Sequence, residues 1–541
     1  MLAHQIRRVA DGAGQTFDDL KTIARLTRDL LPFLRDPISV AQADAWHQER
    51  LATRESWFLR VAEQQIYTVP HSPYLQLLRL AGCELGDLRT LVRQEGVEGA
   101  LAQLLQRGVY VTFDEFKGRR PAVRGSQHLT FAEHEFDNVR AAVHYEVRTG
   151  GTGGRRSRVP RSLGFTLETA YATLSLLDAY DLLGVPQSFW MTGPVNHLLR
   201  NPKMAVRTDR WFYPLTPLPW SVRLGAFYLV GLLRLAGHSM PLPMHADLQQ
   251  PERMVAWIVR RRRSSPRLCF HLPVSAGVRI ATAATQSGIS LDGVTFLITS
   301  EPYSEARRQT IEASGARAFI NYGSQEVSIA ATSCVTPQAA DDVHVFDSRY
   351  AVIQRSRYLD EGGPAFDALA FTSLTADSPK TLLNVETGDA ADLERRDCDC
   401  KLGALGLRTH LANIRSFEKL TGEGVTFART NLAQIVESIL PARFGGISID
   451  YQVVEEERTG GLPRLVLRVS PAVGALDDAT VRATFLEALA QEGALERHMA
   501  AFWVRANTVE IARELPHVTP AGKVLPFQVL RATSTAQQHR P

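Results

Sequence analysis

The sequence predicts an α/β protein in two parts: a large N-terminal domain over residues 1–416, with parallel sheets covered by helices, and a small C-terminal α+β domain over residues 417–541. Three observations predict it. Residues 268–321 run strand, helix, strand, helix, strand with short connections, the pattern of a parallel sheet with helices on its faces. After about Phe417 the pattern changes to alternating strands, a Gly-Pro turn and one long amphipathic helix. The chain has 541 residues, of which 45% are hydrophobic and 22% charged, so it can bury a sizeable core without covalent staples.

Residues 1 to about 140 read as mostly helical and polar, with no catalytic spacing. The most apolar run, Leu224 to Leu235, contains Arg234 and spans about 12 residues; a bilayer needs ~20, so the run predicts a buried helix. Leu268 to Leu272 is a strand, Ser275 caps a helix ending near Gly288, and Val294 to Thr299 is the next strand. Pro302 opens a helix, because proline is tolerated in a first turn, and Gly315 ends it in a left-handed conformation. Ala318 to Asn321 is the third strand. Beyond Phe417, Ile447–Val454 and Leu465–Val469 alternate around the Thr459–Pro463 turn as a hairpin. A helix over Asp478–Met499 and a strand around Val504–Ile511 follow, and the tail after Val529 is polar and frayed.

Lys+Arg 61 against Asp+Glu 57 leaves a net charge of +4, too little to argue for nucleic acid or an anionic membrane as partner. Five cysteines are an odd count in a long chain, which points away from a disulfide framework and toward a reducing compartment. The N-terminus lacks the apolar stretch of a signal peptide, so the expectation is a cytoplasmic protein. Neither Gly-x-Ser-x-Gly nor His-Glu-x-x-His occurs, which leaves hydrolase and zincin readings without support.

Five segments carry chemistry. Residues 148–158 read Arg-Thr-Gly-Gly-Thr-Gly-Gly-Arg-Arg-Ser-Arg, where converging backbone N–H groups, hydroxyls and arginines suit a phosphate; a flexible basic loop is the plain alternative. No Gly-Lys-Ser/Thr follows, so it is not a Walker loop. Ser300-Glu301-Pro302 ends one predicted strand and Tyr322-Gly323-Ser324-Gln325-Glu326 ends the next. Ligands of open parallel sheets sit beyond such ends, where Tyr322 can stack on a base and Glu326 can bind Mg²⁺. Thr387-Gly388-Asp389 places an acceptor pair where vicinal hydroxyls could be held, and Gly522-Lys523 puts a cation in a loop near the end of the chain.

Taken in order, these segments resemble the adenylate-forming superfamily of acyl-CoA synthetases and adenylation domains, and most closely its phenylacetate-CoA ligase-like members. The resemblance covers about residues 65–530 and includes Arg415 and the Ile414–Val425 segment at the family's interdomain hinge. It implies that Thr149, Gly150, Gly151, Thr152, Gly153 and Gly154 lie over the ATP phosphates, with Arg155 or Arg156 as clamp. It implies that Ser300, Glu301 and Pro302 border the adenine pocket with Tyr322 against the base, that Gly323 and Gln325 also line the nucleotide site, Gln325 where the family has a hydroxyl near the α-phosphate, that Glu326 ligates Mg²⁺, and that Asp389, helped by Arg415, holds the ribose. Lys523, on a small domain that rotates, would act in adenylation. The implied reaction joins ATP and a small carboxylic acid, aromatic by the closest resemblance, into an acyl-AMP, and a thiol then displaces AMP. CoA is the first-choice acceptor, and a carrier protein or an amine is the alternative; a third reading is a ligase-like protein that binds without turnover.

The sequence departs from the family's pattern at several places. Gly stands for a usual Ser in the phosphate loop, Arg155 for Lys, Gln325 for Thr/Ser, Glu418 for Asp and Glu423 for Arg. Cys398-x-Cys400 looks like a pair found in some phenylacetate-CoA ligase-like proteins; with Cys334, and His344 or Cys269, it suggests structural Zn²⁺, against the plainer reading of buried thiols. Trp190, His197 and Trp211 fall where the acid pocket is expected, and Arg260–Arg263 could meet a CoA phosphate or a carrier protein.

Overall fold

The computed structural model describes residues 21–148, 158–214, 220–358, 365–416, 421–422, 425–426, 432–456, 464–491, 509–519 and 522–530. Helices dominate residues 21–106, from residues 21–34 through Val40–Ala52, Arg54–Ala62 and Pro73–Leu80 to Leu85–Gln106. A hairpin, β1 (Ala122–Arg124) with β2 (Gln127–Leu129), lies within the stretch read as mostly helical. A second hairpin pairs β3 (Tyr145–Arg148) with β4 (Arg158–Arg161), Tyr145 opposite Arg161.

The main sheet then builds from β5 (Gln187–Trp190), β6 (Thr208–Tyr213), β7 (Pro243–His245), β8 (Leu268–Pro273), β9 (Val294–Thr299) and β10 (Arg317–Ser324). It continues through β11 (Ser328–Ser333), β12 (Val343–Val345), β13 (Tyr350–Tyr358), β14 (Ala365–Ser373), β15 (Val385–Arg395) and β16 (Thr409–Ser416). The order is β13-β14-β15-β16-β12-β11-β10-β9-β8-β5-β6-β7. Strands β7, β6, β5, β8, β9 and β10 are mutually parallel, and every pairing from β10/β11 to β14/β13 is antiparallel. At the centre of the parallel half, β8 and β9 are covered on both faces, which is why these two strands read as apolar runs. Phe270, Phe296 and Ile298 pack against Val278 and Ala281 of helix Val274–Gln286 on one face. Cys269 and Leu297 pack with Leu174 and Leu177 of helix Leu163–Ala179 on the other.

The C-terminal part has its own four-stranded sheet, ordered Val509–Ala512, Arg464–Val469, Tyr451–Glu456, Phe527–Leu530. Helix Asp478–Gln491 lays Phe485 and Leu489 against Val453, Leu467 and Phe527 in a separate core. The residues expected as hinge (417–420), the centre of its predicted turn (459–463), the end of its predicted helix and the start of the strand after it lie outside the described residues.

Two local expectations change. The helix after β9 begins at Glu305, not Pro302, because the Ser304 hydroxyl accepts from the Arg307 N–H at 3.4 Å and serves as the cap. Helix Trp220–Leu235 buries Ala226, Leu229, Val230 and Leu233, but Trp220, Leu224, Phe227 and Leu235 face solvent. Apolar composition predicted burial all round; the neighbours cover only one face.

Candidate functional site

The site builds from the ends of β9 and β10. The Thr299 hydroxyl donates to the Asn321 carbonyl at 3.0 Å, locking the two strand ends together. The β10/β11 register then shifts between Tyr322 and Gly323. The bulge requires glycine, since a Cβ at position 323 would lie 1.7 Å from the Ser328 carbonyl oxygen. It turns the Tyr322 side chain toward β15, where the hydroxyl donates to Asp389 Oδ2 at 2.9 Å and lies 3.4 Å from Thr387 Oγ1. Burial, then the Asp389 charge, raises the Tyr322 pKa far above its ordinary value, so the phenol stays a donor. Gly388, at φ +83°, makes the bend that presents Asp389. Arg415 is exposed on the adjacent strand, opposite Ala390.

Glu326 follows on the loop after β10. Burial pushes its pKa up, but the Lys117 ammonium, 2.8 Å from Oε1, outweighs that and holds the carboxyl below the ordinary glutamate value. Lys117 also reaches Glu133 Oε1 at 2.8 Å. Next to it, the buried Arg161 of β4 donates to the Gln325 carbonyl. Lys117 comes from the stretch that showed no catalytic spacing, and nothing in Phe113-Asp114-Glu115-Phe116-Lys117 signals its role; only the fold brings it to Glu326.

Ser300-Glu301-Pro302 takes a different position. Ser300 sits at φ +76° and turns the chain so that Glu301 points inward. Its side chain accepts from the Ser275 N–H at 2.6 Å and the Ser275 hydroxyl at 2.9 Å, and so caps helix Val274–Gln286 in place of the expected Ser275 side-chain cap. It also accepts from the Val524 N–H at 2.6 Å, one residue past Lys523. Arg307 lies 4.0 Å from Glu301 and 2.9 Å from Glu437, and donates to the Val524 carbonyl at 3.2 Å. This joint ties the C-terminal part to the main sheet, and its side chains are almost completely buried. Lys523 sits in a turn closed by Gly522 N–H to Thr519 O at 2.7 Å and Lys523 N–H to Thr519 Oγ1 at 3.1 Å. Gly522 sits at φ +83°, which favours glycine, and a Cβ there would make the Leu248 side chain shift, since it would meet Cδ1 at 2.9 Å.

The glycine loop itself, Thr149 to Arg155 with Arg156, lies outside the described residues; its stem, the β3/β4 hairpin, is described. Trp190 and Trp211 are buried and donate their indole N–H groups to the carbonyls of Ala246 at 3.0 Å and Met191 at 3.1 Å. His197 is half-buried against His271, ring centroids 4.6 Å apart, with Arg200 at 2.8 Å from its Nδ1. Of the arginine run, Arg261 is engaged by Asp209 through two contacts, 2.6 and 3.0 Å, and Arg262 bonds the Ser290 carbonyl at 2.8 Å. Cys334, Cys398, Cys400 and His344 come together, while Cys269 stays in β8 opposite Gln187.

Mg²⁺ needs a hard, ionised oxygen donor, which Glu326 provides. That carboxylate, however, already carries an ammonium on one oxygen, so the described residues around it build no vacant cation cradle.

No family model matches the sequence, and no curated protein matches it. Among solved structures the chain is similar to ATP-bound MatB from Rhodopseudomonas palustris at 14% identity and a TM-score of 0.42, covering 72% of this chain and 67% of that one. It is similar to the anthranilate CoA ligase AuaEII in complex with anthranoyl-AMP at 12% identity and a TM-score of 0.41, covering 79% and 73%. An acyl-CoA synthetase from Brucella canis is similar at 14% identity and a TM-score of 0.35, covering 74% and 65%. Among the described residues, no helix is long and apolar enough to cross a membrane.

Proposed function

We propose that this chain is an ATP-dependent carboxylate-adenylating ligase that passes its acyl group to a thiol, CoA in the first instance. The observation that carries the reading is the convergence of sequence motifs that lie hundreds of residues apart. Arg161, at the foot of the glycine-loop hairpin, bonds the Gln325 carbonyl. Tyr322 bonds Asp389, and Glu301 bonds the backbone beside Lys523. The stem of the glycine loop, Tyr322, Asp389 and the backbone beside Lys523 thus lie about the ends of β9 and β10, and ligands of open α/β sheets bind at such strand ends, which supports the reading.

In the proposed reaction a carboxylate oxygen of the acid attacks the α-phosphorus of ATP and pyrophosphate leaves. A thiolate then attacks the acyl carbon and AMP leaves with the bonding electrons. Asp389 accepts from ribose hydroxyls beside the Tyr322 hydroxyl, which fixes the carboxylate. Lys523 supplies a compact positive charge where negative charge builds at the α-phosphate. An aromatic acid as substrate rests on the sequence resemblance.

One observation favours a second reading, nucleotide binding without turnover: Lys117 occupies the Glu326 carboxylate. Acid-dependent exchange of labelled pyrophosphate into ATP, over a panel of aromatic and aliphatic acids, separates the two. Adding CoA or a pantetheinylated carrier protein then identifies the acceptor. Lys523→Ala is expected to slow acyl-AMP formation by about 10²–10³ while largely sparing thioester formation from supplied acyl-AMP. Nucleotide binding without exchange for any acid would establish the second reading.

A further inference from the structure

We propose that Cys334, His344, Cys398 and Cys400 form a tetrahedral site for one structural Zn²⁺. Three separate segments supply the donors. Cys334 follows the end of β11, His344 lies in β12, and Cys398 and Cys400 lie in the connection from β15 to β16. All four donor atoms lie within 4.8 Å of one another.

The spacings match a bound ion. Zn–S bonds of about 2.3 Å and a Zn–N bond of about 2.0 Å in a tetrahedron set S···S near about 3.8 Å and S···N near about 3.5 Å. Here Cys334 Sγ to Cys398 Sγ is 3.5 Å and Cys400 Sγ to His344 Nε2 is 3.1 Å. The imidazole is oriented for ligation. Its Nδ1 is 2.8 Å from the Leu407 carbonyl, and a carbonyl only accepts, so the proton is on Nδ1 and the Nε2 lone pair faces the sulfurs.

The backbone is shaped around the same point. The chain from Cys398 folds back so tightly that a Cβ on Gly403 would lie 2.0 Å from the Cys398 carbonyl oxygen. That turn lets the Gly403 N–H donate to Cys400 Sγ at 3.4 Å, a bond that favours a thiolate. A rival donor set of Cys334, Asp342 and His410 fits less well. Asp342 already accepts from His410 Nδ1 at 2.8 Å, from Arg396 at 2.5 Å and from the Gln338 N–H at 2.9 Å. Those groups buttress the site: His410 packs on His344 with centroids 4.0 Å apart. The other two cysteines are isolated. Cys83 lies against the Tyr67 hydroxyl, and Cys269 is buried in β8.

The centre pins one end of the β15/β16 pair, at Arg395 opposite Thr409, whose other end carries Asp389 opposite Ser416. It is therefore a clamp on the frame of the nucleotide residues, at a distance from them. It does not depend on the adenylation reading.

The test is metal analysis of the full-length chain purified under reducing conditions, with a parallel preparation in Co²⁺. The expected result is about one Zn²⁺ per chain. The Co²⁺ form should show thiolate-to-cobalt charge transfer and the intense d–d bands of a tetrahedral site. Cys398→Ser, Cys400→Ser and His344→Gln should each lose metal by roughly tenfold or more. Cys269→Ser and Cys83→Ser should keep it, and chelation should lower the Tm of the wild type. If a ligand variant fails to fold, the wild-type Co²⁺ spectrum and the Cys269→Ser control still decide. A wild-type chain without zinc that gives no tetrahedral Co²⁺ spectrum overturns the proposal. So does metal loss in Cys269→Ser equal to that in Cys400→Ser, or a Cys334–Cys398 disulfide found by thiol titration.

Discussion

The end of β10 and the Glu301 joint both gather motif residues around a buried carboxylate and a cation, yet they are built differently. At the end of β10, Tyr322 and Asp389 are partly exposed and share one direct bond, and Lys117 faces Glu326 from outside the sheet. At the joint, Glu301, Arg307 and Glu437 are dry and hold one another, with Ser275, Ser304 and Val524 meeting further acceptors and donors. Removing a charge from water costs free energy that only full pairing offsets, so a dry cluster is fixed in place. The open rim keeps polar atoms where a ligand can meet them. Two residue groups at the ends of successive strands, 300–302 and 322–326, thus serve different ends: one fastens two parts of the fold, the other faces the candidate ligand.

The joint should respond most strongly. Arg307→Leu leaves Glu301 and Glu437 buried without their cation, and should cost about 3–5 kcal/mol in urea unfolding. Adding Glu437→Leu should restore part of that loss. A loss below about 1 kcal/mol in the single variant would mean that the joint is open to water.

At the rim, the glycine is the sensitive position. Gly323→Ala should cost about 1–3 kcal/mol, because its Cβ cannot share space with the Ser328 carbonyl. Nucleotide binding measured by calorimetry should fall further than stability, since Tyr322 and Glu326 flank the displaced backbone. Equal and small effects on both would separate the bulge from the site.

A further carboxylate, on the mostly covered side chain of Glu168, tests the same physics through pH. Burial raises Glu168 to about 7, although Arg50 lies 3.9 Å away. Between its ordinary value of 4.5 and about 7 the folded chain holds a proton that the unfolded chain has released. Stability from this group is therefore present at the acidic side and falls as pH rises through that window, by up to about 1.4 kcal/mol per pH unit. Melts of Glu168→Gln against wild type from pH 5 to 8 should show a flatter profile. Parallel profiles would leave Glu168 ionised throughout.

The smallest effect belongs to the Tyr322 hydroxyl. Tyr322→Phe removes one hydrogen bond to Asp389 and should cost about 1 kcal/mol of stability, with AMP affinity reduced by roughly fivefold. An unchanged affinity would mean that Asp389 is positioned by other groups.

Much of this was legible beforehand. The strands at 268–273, 294–299 and 317–324 were visible because both faces of a covered parallel sheet are apolar. Tyr322, Gly323 and Asp389 were visible because glycine spacing marks tight turns that the backbone needs regardless of context. The antiparallel half of the main sheet was not read as such, since its strands lack a comparable run and take their register from neighbours. Lys117, Arg307 and Glu437 were missed for one reason: a single charged residue in a polar helix or loop carries no local sign of what will face it. Glu301 was read as lining the adenine, but its side chain turns inward to a helix end and to Val524.

The amino-acid sequence by itself determined the covered strands, the glycines at the bends and the order of the polar motifs, because each depends on residues close together along the chain. Only the tertiary structure decided which charges meet. It set Lys117 on Glu326, Arg307 between Glu301 and Glu437, and His344 rather than Cys269 beside the three clustered thiols. Lys117 and Glu326 are more than 200 positions apart and Arg307 and Glu437 more than 100, and the strength of such pairings depends on exclusion of water, which no local pattern records.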